Sequence, residues 1–447
     1  MQETTPSTAG WLEQLIGRIV IVERREIPQL LSSFAFFFCV LAAYYVIRPV
    51  REEMGVRVGR EWLQTLFVIV FFVMLAVVPL FGWVASRLAK RRIVMVIYTF
   101  FVLNLVIFWG LFSIGNASVY VAGMFFVWVS VFNLFAVSLF WSTMADTYSS
   151  DDAKRLYGLI AAGGSIGAIS GPLITQSLVH VLGTANLLLV SAGLLCGALA
   201  AAQALRTAMG TATTQDEHLS QGGLLAGAVH VWRSPYLFRI ALWVLIANLI
   251  GTFFYFEQAR IIGAAYTVAT DRVQLFARMD LAVNTLTILG QVLVTARLLQ
   301  RVGIGVAAAA LPISGLLGLL ALAAAPVAAV IVGVMIIERA VTFAIANPAL
   351  RVLFTVVPTE DKYKAQNFID TVVFRGGDAA SGWVFGSLAK SLGVGMSTVA
   401  LLTVPLAAVW AGMSLALGRR QAELADKDPS SRRARSPSSG IKSARFS

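Results

Sequence analysis

The chain has 447 residues, of which 58% are hydrophobic and only 13% are charged, whereas soluble globular domains carry about 25% charged residues. This composition excludes an ordinary soluble protein and indicates a chain whose main solvent is a lipid bilayer. The net charge of +12 does not indicate a nucleic-acid partner, because much of the excess lies in the Ser- and Pro-rich residues 419–447. We predict that this tail is disordered and close to the membrane.

Metal, redox and ATP-driven chemistry find no support in the residue pattern. The two cysteines, Cys39 and Cys196, both lie in apolar segments, so neither a disulfide framework nor a thiolate metal site is expected. The three histidines lack the spacing of metal ligands, and no phosphate-binding loop that ends in Gly-Lys-Ser or Gly-Lys-Thr occurs. We therefore expect no metal, no cofactor and no enzymatic activity.

Apolar segments of about membrane-spanning length recur along the chain after residue 28. Because a bilayer offers no hydrogen-bond partners to the backbone, such segments must be helical, and the predicted fold class is an all-α polytopic membrane protein. About twelve spans are expected, at residues 29–47, 62–84, 93–113, 119–145, 158–181, 185–205, 236–258, 274–296, 303–324, 326–346, 366–388 and 396–418.

The longest polar interruption, residues 207–234, divides the spans into two groups of six. We predict an N-terminal bundle at 29–206 and a C-terminal bundle at 235–418, joined by a cytoplasmic linker. Residues 1–28 carry charges but no secretory cleavage pattern, and form the predicted cytoplasmic N-terminal segment.

Lys and Arg residues are concentrated in alternate connecting segments. The positive-inside rule therefore places both termini in the cytoplasm. One exception is the first outer segment, which follows the first span and contains Arg48, Arg51, Arg57 and Arg60. Four cations on the outer side require a functional explanation.

The two halves match each other at an offset of 210 residues, the separation of Tyr45 from Tyr255. The matched residues fall at equivalent ends of equivalent spans, which favours an internal duplication. The further pairs are Arg87 with Arg297, Arg91 with Arg301, Asp151 with Asp361 and Lys154 with Lys364.

The loop after the second span begins with Gly82 and ends in basic residues that include Arg87 and Arg91, with an echo at Arg297 and Arg301. It resembles the signature loop of the major facilitator superfamily. The resemblance implies two six-helix bundles and gives these residues a role as inner gating loops. Ser86 stands where the family usually has Asp, and Ala89 where it usually has Gly. An ordinary positive-inside loop remains the alternative.

A second resemblance is carried by Tyr44-Tyr-Val-Ile-Arg48-Pro-Val-Arg51-Glu-Glu, and by the run from Phe140-Trp-Ser-Thr-Met-Ala-Asp146 to Gly164. Both resemble the bacterial relatives of the ATP/ADP translocase family. The resemblance covers mainly the N-terminal half, and it implies nucleotide exchange across a bacterial cytoplasmic membrane.

Tyr44, Arg48 and Arg51 share one face of the first span, because they are spaced i, i+4 and i+7. Arginine clamps phosphate oxygens with a planar fork and tyrosine stacks on a base, so this face suits a phosphorylated aromatic anion. The alternative is that both arginines extend to the outer headgroups.

Two later spans carry polar stripes that would be costly against lipid and are expected to face a central cavity. The stripes are Asp280, Asn284, Thr287 and Gln291 in the eighth span, and Asn367, Thr371, Arg375 and Asp378 in the eleventh. Asn284 and Arg375 are candidate substrate-binding residues.

Four acids are candidates for proton coupling or ion pairing: Glu257, Asp280, Glu338 and Asp378. Carboxylates in apolar surroundings can bind and release protons. Arg260 is a further candidate anion ligand, or the local partner of Glu257. Glu338 with Arg339 would equally form a structural pair.

The fifth span presents Gly163, Gly167 and Gly171 at spacings of four, followed by Pro172. This pattern predicts a close-packed helix face. It also resembles the Gly-x-x-x-Gly-Pro motif of proton-coupled exporters, although Thr175 and Gln176 replace the glycines that complete that motif.

The preferred hypothesis is a monomeric secondary transporter that exchanges nucleotides or another phosphorylated anion by alternating access. The bilayer and a small anion are the expected partners. Proton-coupled transport of a non-nucleotide compound is the alternative.

Overall fold

The computed structural model describes residues 26–87, 90–114, 118–209, 224–392 and 395–427. Every regular element in these ranges is a helix, which confirms the predicted all-α fold class. Most of the predicted N-terminal segment, most of the central linker and the tail beyond residue 427 lie outside the described residues.

Fifteen α-helices follow one another along the described chain. The first seven are α1 (Ile27–Val58), α2 (Arg60–Arg87), α3 (Lys90–Ser113), α4 (Val119–Thr147), α5 (Ser150–Met209), α6 (Leu224–Arg233) and α7 (Pro235–Ala265). The remainder are α8 (Ala269–Gly290), α9 (Ala296–Arg301), α10 (Ile304–Ala324), α11 (Ala328–Val341), α12 (Asn347–Leu353), α13 (Thr359–Phe368), α14 (Phe374–Leu392) and α15 (Met396–Lys427).

Ten helical stretches in the described residues are long and apolar enough to cross a membrane. One of them, Asp151–Ala208, covers the predicted fifth and sixth spans, and its helical conformation breaks at Gly183, where φ is +77°. The predicted eleventh span, 366–388, is helical but is not among the ten. Helices thus occur at all twelve predicted positions, and the chain is a multi-pass membrane protein.

The described residues divide into two compact units. The N-terminal unit contains the first six spans together with residues 258–285, and the C-terminal unit contains residues 224–257 and 286–427. Residues 258–285, which include the C-terminal end of α7 and most of α8, therefore belong to the N-terminal unit. The predicted boundary at the linker had assigned them to the C-terminal bundle.

The long helix α5 lies against α1 in the N-terminal unit because its glycines allow close approach of the two backbones. A Cβ atom at Gly167 would lie 2.5 Å from the Phe38 carbonyl oxygen, and one at Gly171 would lie 2.6 Å from the Tyr45 Cβ. Gly163 is equally close to α1, where a Cβ would lie 2.6 Å from the Phe34 carbonyl oxygen. Only glycine fits at such contacts.

Hydroxyl groups of α5 donate hydrogen bonds to backbone carbonyls of α1 in the two turns before Pro49. A proline within a helix removes one backbone hydrogen bond. Thr175 donates to the Val46 carbonyl oxygen at 3.1 Å, and Ser191 donates to that of Ala43 at 2.9 Å. All these groups are buried, so the two helices are fixed in one register.

Three single π-helical turns interrupt helices of the C-terminal unit, at Gln291–Thr295, Thr342–Ala346 and Ile369–Val373. Such turns are rare and occur often at functional sites. The first two are linked, because the Thr295 hydroxyl donates to the Ala344 carbonyl oxygen at 2.6 Å. Elsewhere in this unit, Trp243 of α7 donates to Ser414 of α15 at 2.8 Å.

The last helix extends further than the sequence indicated. The prediction of disorder from residue 419 is wrong for residues 419–427, which continue α15. An ion pair of 2.7 Å between Arg420 and Glu423, one turn apart, and burial of Gln421 support the extra turns.

Candidate functional site

The carboxyl-terminal third of α1 carries a buried cation that pairs with a distant acid. Arg48 donates to Asp280 of α8 at 2.9 Å, and the two side chains are 14% and 1% exposed. Both residues belong to the N-terminal unit, although 232 positions separate them in the sequence. The pair thus joins a helix of the first repeat to a helix of the second.

Arg51 lies one turn further along α1 and is held by several groups. It pairs with Glu52 at 3.1 Å, donates to the Ser130 hydroxyl at 3.2 Å and lies 3.8 Å from the Phe126 ring centroid. Glu52 is 5% exposed, and its buried Oε2 has no hydrogen-bond partner among the described residues. One carboxylate oxygen next to Arg51 is therefore poorly satisfied.

A second long-range ion pair joins Glu53 of α1 to Arg272 of α8. Arg272 donates through two nitrogens to Glu53, at 2.5 and 2.7 Å, and Glu53 is fully buried. Arg272 also donates to the Tyr266 carbonyl oxygen at 2.6 Å. The planar guanidinium thus donates both to a carboxylate and to the backbone carbonyl that follows α7.

We call these six residues the ion-pair cluster: Arg48, Arg51, Glu52, Glu53, Arg272 and Asp280. Three cations face three carboxylates, so the formal charges cancel. Charges in an apolar interior are tolerated only when they are paired and hydrogen-bonded. The cluster also accounts for two arginines of the first outer segment, since Arg48 and Arg51 have carboxylate partners.

Aromatic rings and an amide adjoin the cluster. Tyr44 and Tyr45 are in edge-to-face contact at 5.1 Å, and the Arg48 guanidinium lies 5.6 Å from the Tyr45 ring centroid. Asn284, one turn beyond Asp280, donates to the Ala168 carbonyl oxygen of α5 at 2.7 Å. The face predicted from Tyr44, Arg48 and Arg51 is therefore lined by aromatic and charged groups.

Other polar candidates meet in the C-terminal unit, in what we call the Asp378 cluster: Asn248, Thr252, Arg375 and Asp378. Asp378 accepts from the Thr252 hydroxyl at 3.4 Å and lies 3.9 Å from an Arg375 nitrogen. Arg375 is 33% exposed and Asp378 is 19% exposed. Asn248 donates to the Phe374 carbonyl oxygen at 2.8 Å. The two contacts of Asp378 are longer than the charged contacts of the ion-pair cluster, and Arg375 is more exposed than Arg48 or Arg51.

The remaining acids and Arg260 are not part of either cluster as defined. Glu257 is 3% exposed and Arg260 is exposed. Glu338 of α11 is half-buried beside α7, where a Cβ at Gly251 would lie 3.7 Å from its Oε1. Their roles stay predictions.

The residues predicted to form gating loops lie at helix ends. Arg87, Arg297 and Arg301 are exposed, at the ends of α2 and α9. Gly82 lies within α2 and Arg91 lies within α3, and the surroundings of the Arg91 side chain lie outside what the structure describes.

Sequence reasoning missed the Glu53 and Arg272 pair. Glu53 appeared only as part of a motif, and Arg272 stands in the first turn of α8. The available signal was an arginine beside an apolar span on the predicted outer side, where basic residues are disfavoured. Its partner is 219 residues away and follows no local spacing.

The described residues contain no group of three or more His, Cys, Asp or Glu side chains that could hold a metal ion. The clusters instead supply paired cations, carboxylates and aromatic rings. Such groups can bind ions and polar organic molecules.

No protein-family model matches the sequence, and no curated protein matches it. Solved transporter structures do match in fold. An auto-inhibited peptide transporter of the POT family has a TM-score of 0.59 at 13% identity, covering 90% of this chain and 97% of its own. A bacterial homologue of the iron transporter ferroportin, in an inward-facing state, has a TM-score of 0.57 at 13% identity and coverages of 90% and 98%. The nucleoside transporter NupG has a TM-score of 0.54 at 15% identity and coverages of 90% and 100%.

These similarities show the fold alone, and they agree with the predicted major facilitator fold. The three transporters move unlike cargoes according to their descriptions, so fold alone does not specify a substrate. None of the three is an ATP/ADP translocase, and that narrower resemblance rests on the sequence motifs.

Proposed function

We propose that this chain is a secondary active transporter that exchanges nucleotides, or other phosphorylated organic anions, by alternating access. The observation that carries the proposal is the buried pair between Arg48 of α1 and Asp280 of α8, which connects the two sequence repeats. In alternating access the repeats move against each other around a fixed site. Arg48 and Asp280 both lie in the N-terminal unit, where an incoming anion can compete with Asp280 for the guanidinium.

A phosphate group is suited to replace Asp280 as the partner of Arg48. Both groups accept two parallel hydrogen bonds from a guanidinium, and phosphate carries more charge than a carboxylate. Removing one partner of a buried ion pair costs about 3–5 kcal/mol. The empty transporter therefore favours the closed pair, and a bound anion offsets the cost of opening it.

This competition gives a physical basis for exchange rather than net uptake. An empty transporter holds Arg48 on Asp280 and resists reorientation, whereas a loaded one is released from that contact. The rings of Tyr44 and Tyr45 beside Arg48 offer surfaces on which a nucleobase can stack. The fold shared with a nucleoside transporter is compatible with such a cargo.

The test is uptake of labelled ATP into liposomes that contain the purified full-length protein, preloaded with ADP or with buffer alone. Exchange predicts uptake only with internal ADP. Uptake of equal size with empty liposomes would overturn exchange, and no uptake in either case would overturn the nucleotide assignment.

Matched variants connect this assay to the site. Arg48→Gln should abolish exchange, because the variant lacks the guanidinium fork. Arg278→Gln is the control, since Arg278 lies on α8 two residues before Asp280 and is exposed. Equal loss in both variants would remove the proposed site.

The same pair favours one alternative, proton-coupled transport of a non-nucleotide compound. When Arg48 leaves Asp280, a carboxylate that is 1% exposed loses the guanidinium that donates to it at 2.9 Å, and proton uptake is a direct way to neutralise the carboxylate. An imposed pH gradient should then drive transport in the wild type but not in Asp280→Asn. Transport that ignores the gradient would exclude this alternative.

We place the protein as a monomer in a bacterial cytoplasmic membrane, with both termini in the cytoplasm. The distribution of Lys and Arg supports this orientation. Protease removal of an epitope fused to the C-terminus of the full chain, in inverted but not in right-side-out vesicles, tests it.

A further inference from the structure

A cavity of about 660 Å³ lies within the C-terminal unit, and none of its lining residues belongs to the ion-pair cluster or the Asp378 cluster. Its walls come from the end of α6, the first turns of α7, the segment before α13 and the last turns of α15. Pockets of about 300–1,000 Å³ are typical for small ligands. The cavity thus has the size of a binding site.

The lining is strongly cationic. Arg233, Arg239 and Arg420 contribute guanidinium groups, His230 contributes an imidazole ring, and no Asp or Glu is among the described residues that line it. Arg420 also pairs with Glu423 at 2.7 Å, but both side chains are about half exposed and this contact is readily exchanged. An anion that enters therefore meets several donors and little competition.

Hydrogen bonds connect the segments that form the wall of the cavity. Ser234 caps α7, accepting from the Leu237 backbone N–H at 3.4 Å, and this helix begins in the cavity wall. Tyr236 donates to the Leu353 carbonyl oxygen at 2.7 Å and is buried. The N-terminal end of α7 adds partial positive charge to that of the arginines.

The cavity lies at the ends of membrane-spanning helices, since it includes the first turns of α7 and the last turns of α15. Beside it, Trp232 is 80% exposed and lies edge-on to Phe238 at 5.5 Å between ring centroids. Exposed tryptophan next to cations is typical of the headgroup layer. Basic pockets between helices at this level bind lipid phosphates.

We propose that this cavity is a phosphate-binding site in which Arg233, Arg239 and Arg420 clamp the phosphate oxygens. The group is either the phosphodiester of an anionic lipid or a free phosphate from the cytoplasm, and both present the same oxygens to guanidinium forks. The site is separate from the transported substrate. Its ligand holds the starts of α7 and α13 and the end of α15 together.

The test measures the melting temperature of the purified full-length protein in detergent. Two probes are titrated, dioctanoyl phosphatidylglycerol and inorganic phosphate, against dioctanoyl phosphatidylcholine and sodium chloride of equal ionic strength. We expect a rise of several degrees at saturation with at least one probe. A rise with phosphatidylglycerol alone identifies a lipid, and a rise with inorganic phosphate identifies a free anion.

The variants Arg233→Gln, Arg239→Gln and Arg420→Gln, made singly and together, connect the effect to the cavity. Each arginine removed should weaken the apparent affinity by about tenfold, and lysine should restore it only in part. Arg278→Gln of the N-terminal unit is the control and should titrate as the wild type. Equal protection by phosphatidylcholine, or an unchanged titration in folded single variants, would overturn the site.

Discussion

The two polar clusters differ in how tightly their charges are matched. In the ion-pair cluster, Arg48 meets Asp280 at 2.9 Å and both are largely buried. In the Asp378 cluster, the nearest contact of Arg375 with Asp378 is 3.9 Å, and the arginine is one third exposed. The pair in the first cluster is therefore short and buried, whereas the pair in the second is longer and more exposed.

This difference assigns different roles to similar residues. A buried ion pair contributes little net stability but is costly to break on one side, so it favours a small number of discrete states. A partly exposed pair exchanges partners at little cost. The ion-pair cluster is therefore suited to hold one conformation, and the Asp378 cluster is suited to contact a polar ligand without a large structural change.

The largest effect should come from breaking the Arg48 and Asp280 pair on one side. Arg48→Gln and Asp280→Asn should each lower stability by about 3–5 kcal/mol, because each leaves a buried charge without its partner. The double variant should lose less than the sum of the two. A double-mutant cycle of thermal unfolding in detergent measures this coupling, and strictly additive losses would show that Arg48 and Asp280 do not interact.

Replacing Arg272 by lysine tests the second pair with its charge retained. Lysine lacks the planar fork and loses one of the two hydrogen bonds to Glu53, so we expect a loss of about 1.5–3 kcal/mol. Arg278→Lys is the matched control on the same helix, with an exposed side chain. Equal melting temperatures for both variants would show that bidentate geometry is unimportant.

Glycine substitutions compare the backbone framework of the two units. Gly167→Ala places a methyl group against an α1 carbonyl and should cost about 1–3 kcal/mol. Gly377→Ala should cost less, because its nearest contact is the flexible Asn248 side chain at 3.1 Å. Gly193→Ala, in α5 with no neighbouring atom within 4 Å, should be neutral or gain up to about 1 kcal/mol. Melting temperatures rank the three, and an unaffected Gly167→Ala would refute the close contact.

Among the charge substitutions, Arg375→Gln should have the smallest effect on stability, at most about 1 kcal/mol, since its contact with Asp378 is long and partly exposed. Its apparent affinity for a transported anion should fall by about tenfold, as expected for one lost charged hydrogen bond. Concentration-dependent uptake in liposomes measures this. A large loss of stability with unchanged affinity would reverse the roles of the two clusters.

Apolar segments in the sequence predicted the positions of the helices better than the residues at which the helices end. Apolar segment length placed helices at all twelve expected positions, yet α15 continues to Lys427 past the expected end. Hydropathy detects where the apolar segment ends, whereas the helix continues beyond that point through polar residues such as Arg420 and Glu423. The π turn before Phe374 also has no simple signature in the sequence.

The sequence indicated some members of the ion-pair cluster but not their pairing. The spacing of Tyr44, Arg48 and Arg51 indicated one polar face, and Asp280 stood out as an acid in an apolar span. Their mutual contacts did not follow, because helical periodicity relates residues within a helix and gives no information about which helices meet. Arg272, outside any periodic stripe, was missed for the same reason.

The sequence by itself determined that this protein is a helical membrane protein built from two related halves, because a bilayer requires long apolar helices and a duplication leaves matched residues at fixed separation. Only the tertiary structure decided which charges neutralise one another. Coulomb attraction and desolvation depend on distances across the fold, and those distances exist only once α1, α5 and α8 have packed together.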